Sequence, residues 1–311
     1  MFKSIYFYNN FHNGDVHLSR GFVKFALDNI PLLKNIPVFF GHRNYQNILA
    51  DLNVITQPGE FSSRHESGFF NDKNDRCFTH DDVLYINTWY ASDNFKYMNR
   101  YGLNFDCLYH VFRDTFIESF DVDINNYDVK KVFPQIQFDK FYIVNAENWI
   151  RQRDHEFKVL ISNGLVQSGQ ADNANWNIVI NTLADRFHGV SFLATNKVDY
   201  IINRNNVFYT EDIIKKGEND LNENAYLSTK SNIIIGRASG ASTFATNTIN
   251  MFERTSDIIS FADFDTQHKN FWFGEYFRDK INLTCNLTNY KNQDLDFVIE
   301  TVSDLIKKRG S

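Results

Sequence analysis

The chain has 311 residues, 43% of them hydrophobic and 23% charged, with a formal net charge of −6. That length exceeds one ordinary core and suits two domains of about 150 residues each. The closest approach to a basic tract is Lys307-Lys308-Arg309, so nucleic acid is excluded as a main partner, because phosphate backbones require clustered Lys and Arg.

Short apolar runs alternate with helical spacings, the pattern of βαβ units around mainly parallel sheets. Ile5–Tyr8 reads as a strand, Asn9–Asp15 as a polar loop, and Leu18, Phe22, Phe25 and Ala26 as one face of a helix. Pro37–Phe40 and Val54-Ile55 read as strands, with Ile48–Leu52 as a helix end between them. Gly59–Arg76 reads as a loop, Val83–Trp89 as a buried strand and Tyr101–Phe120 as a long amphipathic helix. A boundary is expected between Asp121 and Phe157, giving domains 1–140 and 141–311. The pattern then restarts. Strands are expected at Val159–Ser162, Val190–Ala194, Ile201-Ile202, Val207–Tyr209, Asn232–Ile235 and Ile258–Phe261. Helices are expected at Trp176–Phe187, Leu221–Leu227, Ser242–Phe252 and Leu295–Lys307, the last packing back across the junction. The fold class is therefore α/β, with two Rossmann-like lobes facing a cleft.

Three cysteines, Cys77, Cys107 and Cys285, stand too far apart for a CxxC metal site and fit free thiols in a reducing compartment. The opening MFKSIYFYNN turns polar too early for a signal peptide, and no apolar run approaches the roughly 18 residues that span a membrane. The expectation is a cytoplasmic protein. The sequons Asn282-Leu283-Thr284 and Asn286-Leu287-Thr288 then carry no glycan.

Three segments follow predicted strands, at the carboxyl edge where open α/β sheets bind ligands. In the first, His12-Asn13-Gly14-Asp15-Val16-His17, Gly14 permits a tight turn and Asp15 sits near a helix start. A carboxylate there serves as a cap or as a general base, and His12 and His17 add groups that titrate near neutrality. The second is Gly236-Arg237-Ala238-Ser239-Gly240-Ala241-Ser242-Thr243. Its small residues expose backbone N–H groups to phosphate oxygens, with Arg237 as a candidate guanidinium partner. Close strand–helix packing is the competing reading. The third, Ser162-Asn163-Gly164, opens the second half with a flexible polar loop.

These motifs and their order resemble GT-B glycosyltransferases, and most of all the ADP-heptose:lipopolysaccharide heptosyltransferase family. Asn13-Gly14-Asp15-Val16-His17-Leu18-Ser19 is similar to that family's Gly-Asp loop, and Ile235-Gly236-Arg237-Ala238-Ser239-Gly240 to its Ser/Thr-Gly turn. The resemblance implies an acceptor lobe at the N-terminus and a sugar-nucleotide lobe after it. It also implies Asp15 as general base and Ser239 and Gly240 at the donor diphosphate. The family's His after the turn is absent, since Ser242-Thr243-Phe244 stands there, which leaves the sugar open. The function expected is inverting, metal-independent transfer of a sugar from a nucleotide sugar to a glycan or glycolipid acceptor. No cofactor is expected beyond the donor co-substrate, and peripheral membrane contact is compatible with such an acceptor. The alternatives are a sugar-nucleotide epimerase on the same architecture, a non-catalytic binding protein, and a metal-dependent transferase. The last would use one of three DxD pairs: Asp121/Asp123, Asp263/Asp265 or Asp294/Asp296.

Overall fold

The computed structural model describes every residue except 1, 10–11, 43–45, 59–75, 90–95, 103, 167–168, 170, 198–203, 218–219, 263–274, 279–280 and 311. The chain forms two compact units. The first comprises Met1–Gln137 and Lys269–Asn282, the second Phe138–His268 and Leu283–Ser311.

Unit 1 is built on a five-stranded sheet of order β3-β2-β1-β5-β4. Its strands are β1 (Ser4–Asn9), β2 (Val38–His42), β3 (Ile55–Pro58), β4 (Cys77–His80) and β5 (Val83–Asn87). Strands β3, β2, β1 and β5 run parallel, with Ile5 opposite both Val38 and Leu84. Alternation splits β1 between two faces. Ile5 and Phe7 are buried on one, and Tyr6 and Tyr8 on the other, where Tyr6 stacks on Phe39 and Tyr85. The sequence reading has no counterpart for β4. It pairs antiparallel with β5 through Asp81 and Asp82, both at positive φ, the backbone of a two-residue type I′ hairpin.

Helix α1 (Asn13–Asn29) crosses the sheet with Val16, Phe22, Val23, Phe25 and Ala26 buried. The short helix α2 (Lys96–Tyr101) precedes α3 (Phe105–Phe120). The single helix expected over Tyr101–Phe120 divides at Gly102, whose φ of +81° ends one helix. Asn104 then caps the next, accepting from the Asp106 and Cys107 N–H groups. Phe22 stacks on Phe112 with ring centroids 4.5 Å apart. Closer still, a Cβ on Gly21 would lie 2.1 Å from the Val132 carbonyl oxygen, so only glycine lets α1 rest on that backbone.

Unit 2 is a six-stranded parallel sheet of order β11-β10-β9-β6-β7-β8. Its strands are β6 (Phe157–Ser162), β7 (Val190–Ala194), β8 (Val207–Tyr209), β9 (Ile233–Arg237), β10 (Asp257–Phe261) and β11 (Asn286–Tyr290). Its helices are α4 (Val144–Gln152), α5 (Asn177–Arg186), α6 (Thr210–Ile214), α7 (Leu221–Ser228) and α8 (Leu295–Gly310). One core joins Val159, Ile161, Phe192, Ile233, Ile235, Ile259 and Phe261 to α5 and α8. Val298, Ile299, Val302 and Ile306 are the α8 contribution, roughly 6–12 kcal/mol of gross burial at about 1.5–3 kcal/mol per side chain.

Helix α8 thus packs within its own unit, and the segment that belongs to the other is Lys269–Asn282. Strand β11 and helix α4 are absent from the sequence reading. Gly236 and Arg237 finish β9 instead of beginning a turn. The helix expected at Ser242–Phe252 is a 3-10 turn (Ser242–Ala245) and a π-type turn (Ile249–Glu253). Asn side chains take the backbone groups a continuous helix needs. Asn247 Nδ2 donates to the Phe244 carbonyl and Asn250 Nδ2 to that of Ala245. The helix end expected at Ile48–Leu52 is a 3-10 turn over Gln46–Leu49. The Ile201-Ile202 strand, residues 59–75 of the loop and the Asp263/Asp265 pair lie outside the described residues. None of the three cysteines is in a disulfide.

Candidate functional site

In unit 1 the chain leaves β1 and enters α1 at the carboxyl edge of the sheet. Helix α1 starts at Asn13, with exposed His12 as its N-cap, so Gly14 lies in the first helical turn and not in a loop. The Asp15 side chain is buried, and its Oδ2 accepts the His12 N–H at 3.3 Å. This is the acidic member of a capping box, and the helix N-terminus favours its negative charge. The cap reading is therefore realised in the geometry, and it also holds the carboxylate at a fixed place on the ligand edge.

His17 is fully buried. Its Nδ1 lies 3.3 Å from Arg20 Nη1, and a guanidinium can only donate, so the ring accepts there and carries its proton on Nε2. Arg20 in turn donates to Asp51 at 2.5 Å and to the Ile48 carbonyl at 2.8 Å. Asp51 also accepts the Gln137 N–H. His17 is accordingly part of an internal brace between α1 and Asp51, on a different face of the chain from exposed His12.

A polar row beside this helix start escaped the sequence reading. Asn9, His42, Asn87 and Thr88 are each at most 2% exposed. They end three neighbouring strands, with Asn9 opposite His42 and Tyr8 opposite Asn87. Asn9 Nδ2 donates to Thr88 Oγ1 at 3.2 Å, and Thr88 Oγ1 to the Tyr8 carbonyl at 3.0 Å. The signal was present in the sequence, since each apolar run closes on an amide or imidazole (FYN, FGH, YIN).

In unit 2, Ser162 ends β6, and Asn163 is clipped to the loop after β7. Asn163 Oδ1 accepts the Asn196 N–H and its Nδ2 donates to the Asn196 carbonyl, both at 2.9 Å. A Cβ on Gly164 would stand 2.8 Å from Asn196 Oδ1. Arg237 is 2% exposed. Its Nη1 donates to the carbonyls of Asn163 at 2.6 Å and Gly164 at 3.1 Å, and its Nη2 to that of Ala174. The guanidinium also lies over the Trp176 ring, and burial lowers its pKa to about 10. In this structure Arg237 holds the loop between β6 and α5.

The turn after β9 retains the other candidates. Gly236 packs so closely that an added Cβ would meet the Ser162 Cβ at 2.8 Å. Ser239 and Ser242 bond reciprocally, each backbone N–H donating to the other's hydroxyl, at 3.1 and 3.3 Å. Thr243 Oγ1 donates to the Gly240 carbonyl at 2.5 Å. Among the described residues no acceptor faces the N–H groups of Gly240 and Ala241. Ser162, Asn163, Gly164, Gly236, Arg237, Ser239, Gly240, Ser242 and Thr243 therefore gather at the carboxyl ends of β6 and β9. The helix expected to aim a macrodipole there is a single 3-10 turn, so any anion is held by local N–H groups.

Of the acidic pairs, Asp123 caps a 3-10 turn and Asp294 caps α8, while Asp121 is the left-handed C-cap of α3. Among the described residues no three His, Cys, Asp or Glu side chains are grouped to hold a metal. No described helix is long and apolar enough to cross a membrane.

Comparison of the sequence with protein-family models and with curated proteins finds no match. Solved structures share the fold. Escherichia coli ADP-heptose LPS heptosyltransferase II superposes with a TM-score of 0.59 at 11% identity, over 99% of this chain and 100% of that one. E. coli heptosyltransferase WaaC with ADP gives 0.55 at 10% identity, over 98% and 99%. A family 9 glycosyl transferase from Veillonella parvula gives 0.52 at 11% identity, over 97% and 89%. The chain therefore has the two-sheet α/β architecture of the GT-B heptosyltransferases along nearly its whole length, as the motif resemblance implies.

Proposed function

We propose that the chain is a glycosyltransferase that moves a sugar from a nucleotide-sugar donor, held by unit 2, to a glycan or glycolipid hydroxyl held by unit 1. The observation that carries this reading is the end-to-end fold match to heptosyltransferases, with polar candidates at the carboxyl edge of both sheets. Asp15 takes the proton of the acceptor hydroxyl. The hydroxyl oxygen bonds to the anomeric carbon as the bond to the diphosphate oxygen breaks, so the configuration inverts and a nucleoside diphosphate leaves. The Gly240 and Ala241 N–H groups, with the hydroxyls around them, stabilise the charge on that leaving group. Backbone donors do this without a divalent ion, and three cysteines outside any disulfide suit a cytoplasmic setting. Asn9, His42, Asn87 and Thr88 form the floor of the acceptor side.

The test is a thermal-shift panel of ADP-, UDP-, GDP- and CDP-sugars, followed by turnover with the donor it selects. Asp15→Asn is expected to lower kcat by about 10²–10⁴-fold while donor affinity holds, and excess chelator to leave the rate unchanged. Donor binding without any Asp15-dependent transfer would sink the proposal, and strict manganese dependence would move the protein to the metal-using class.

A further inference from the structure

Unit 2 has a recess at the free edge of its sheet, remote in sequence from the donor turn. A cavity of about 430 Å³ lies between helix α4, strand β8 and helix α6, within the size range of small-ligand sites. Its walls include Asn148, Trp149, Gln152, Arg153, Phe208 and Lys215. The Arg153 guanidinium lies 4.8 Å from the ring centroids of both Trp149 and Phe208, and those two rings meet edge to face at 5.0 Å. Two aromatic contacts fix the plane of the guanidinium and reduce the entropy lost when it binds.

Its donors are nevertheless unused. Among the described residues the Arg153 side chain makes no hydrogen bond. Its Nε pairs loosely with Glu156 at 3.9 Å, a carboxylate that also accepts the Ser191 hydroxyl. Lys215 is exposed, and its ammonium has no ion pair or hydrogen bond among the described residues. The acid on the rim, Asp212, is already engaged by Lys197 at 3.2 Å. The recess therefore presents an unpaired ammonium and a pre-oriented planar fork whose Nη groups make no hydrogen bond among the described residues, beside aromatic rings and exposed carboxamides.

We propose that this recess is a binding site for a sugar-borne anion, a phosphate or carboxylate carried on a carbohydrate ring. The Arg153 fork grips two anion oxygens, Lys215 supplies the second charge, and Asn148 and Gln152 address ring hydroxyls. The volume exceeds what a bare anion fills, which is why the ligand includes the sugar. The site is independent of the proposed transfer reaction, and none of its residues belongs to the donor turn or the Asp15 helix.

The test follows the Trp149 indole N–H by NMR, assigned with Trp149→Phe, during titration with glucose 6-phosphate, glucuronate, inorganic phosphate and glucose. Glucose 6-phosphate, glucuronate or both should shift the signal saturably, and which of them does so identifies the anion. Inorganic phosphate should bind at least tenfold more weakly than the sugar anion, and glucose should leave the signal unmoved. Arg153→Lys, which keeps the charge but loses the fork, should weaken binding at least tenfold. Lys215→Asn, compatible with the left-handed backbone there (φ 56°), should weaken it several-fold and carries the test if the Arg153 variant melts early. The proposal is overturned if no sugar anion shifts Trp149, if glucose matches them, if inorganic phosphate binds as tightly, or if a folded variant binds like the parent. Donor affinity and Asp15-dependent turnover are measured on the same samples, so failure here stands apart from failure of the transfer reading.

Discussion

Arg237 holds a loop by its carbonyls, and the consequence can be measured as stability. Replacing it with alanine removes three charge-assisted hydrogen bonds and leaves the Asn163, Gly164 and Ala174 oxygens without their partner. At about 1.5–3 kcal/mol for each such bond, Arg237→Ala should cost about 3 kcal/mol or more, read as a lower urea midpoint at unchanged slope. Lysine should not restore it, because one ammonium cannot reach carbonyls on both sides of the loop. An unchanged midpoint would return Arg237 to the list of direct ligand contacts. Asp220 offers a pH handle near α7. Burial raises its carboxyl to about 6, and the neighbouring Glu223 adds to the rise, while Glu223 itself is fully buried and paired with Lys216 at 2.7 Å. A carboxyl whose folded pKa lies above its unfolded value binds a proton on folding. Its contribution is full below about pH 4 and is lost as pH climbs through about 6. Asp220→Asn should abolish that fall between pH 4 and 6, and an identical stability–pH curve for the variant would rule it out.

The clearest prediction among the elements concerns the short helix Glu275–Arg278. Asp106, at the start of α3, accepts the Tyr276 N–H at 2.7 Å and the Phe277 N–H at 3.3 Å. Phe277 packs on Phe105 and Tyr109. Asp106→Ala should speed hydrogen exchange at both amides by about 10–100-fold, following the strength of a hydrogen bond to a charged group, with the α3 amides unchanged. Equal exchange in both proteins would mean the aromatic contacts alone hold the segment. Apolar elements were the ones legible in the sequence. Val190–Ala194 and Val207–Tyr209 are strands where the runs place them. Strands β4 (CFTH) and β11 (NLTNY) were missed because edge strands tolerate polar residues and show no apolar run, and Asn286 even turns its amide to Asp257. Helix α4 buries only Ala146, so periodicity had nothing to register. At the site, the sequence marked Asp15 and the Gly236–Thr243 stretch by their place after strands. It could not show that Arg237 and His17 face inward, because both depend on contacts across at least one further element.

At the level of the whole molecule, unit 1 is assembled from two separated stretches of chain, and its stability should depend on the second. A fragment ending at Gln137 lacks Tyr276 and Phe277, exposing the faces of Phe105 and Tyr109 that they cover. It should melt below the intact chain, and a peptide spanning 269–282 should raise its melting temperature in proportion to the logarithm of added peptide. If the fragment melts no lower than the full chain and ignores the peptide, the returning segment is an ornament on a finished core.

The same arrangement sets an order of events during protein synthesis. A ribosome that has released Gln137 has delivered every strand of the first sheet but not the Glu275–Arg278 helix that lies over α3. Another 145 residues (282 minus 137) must follow before that half is complete. At about 5–20 residues per second the wait is on the order of ten seconds. During that time the nascent N-terminal half keeps aromatic surface open, a target for chaperones that a chain with two strictly consecutive domains would never present.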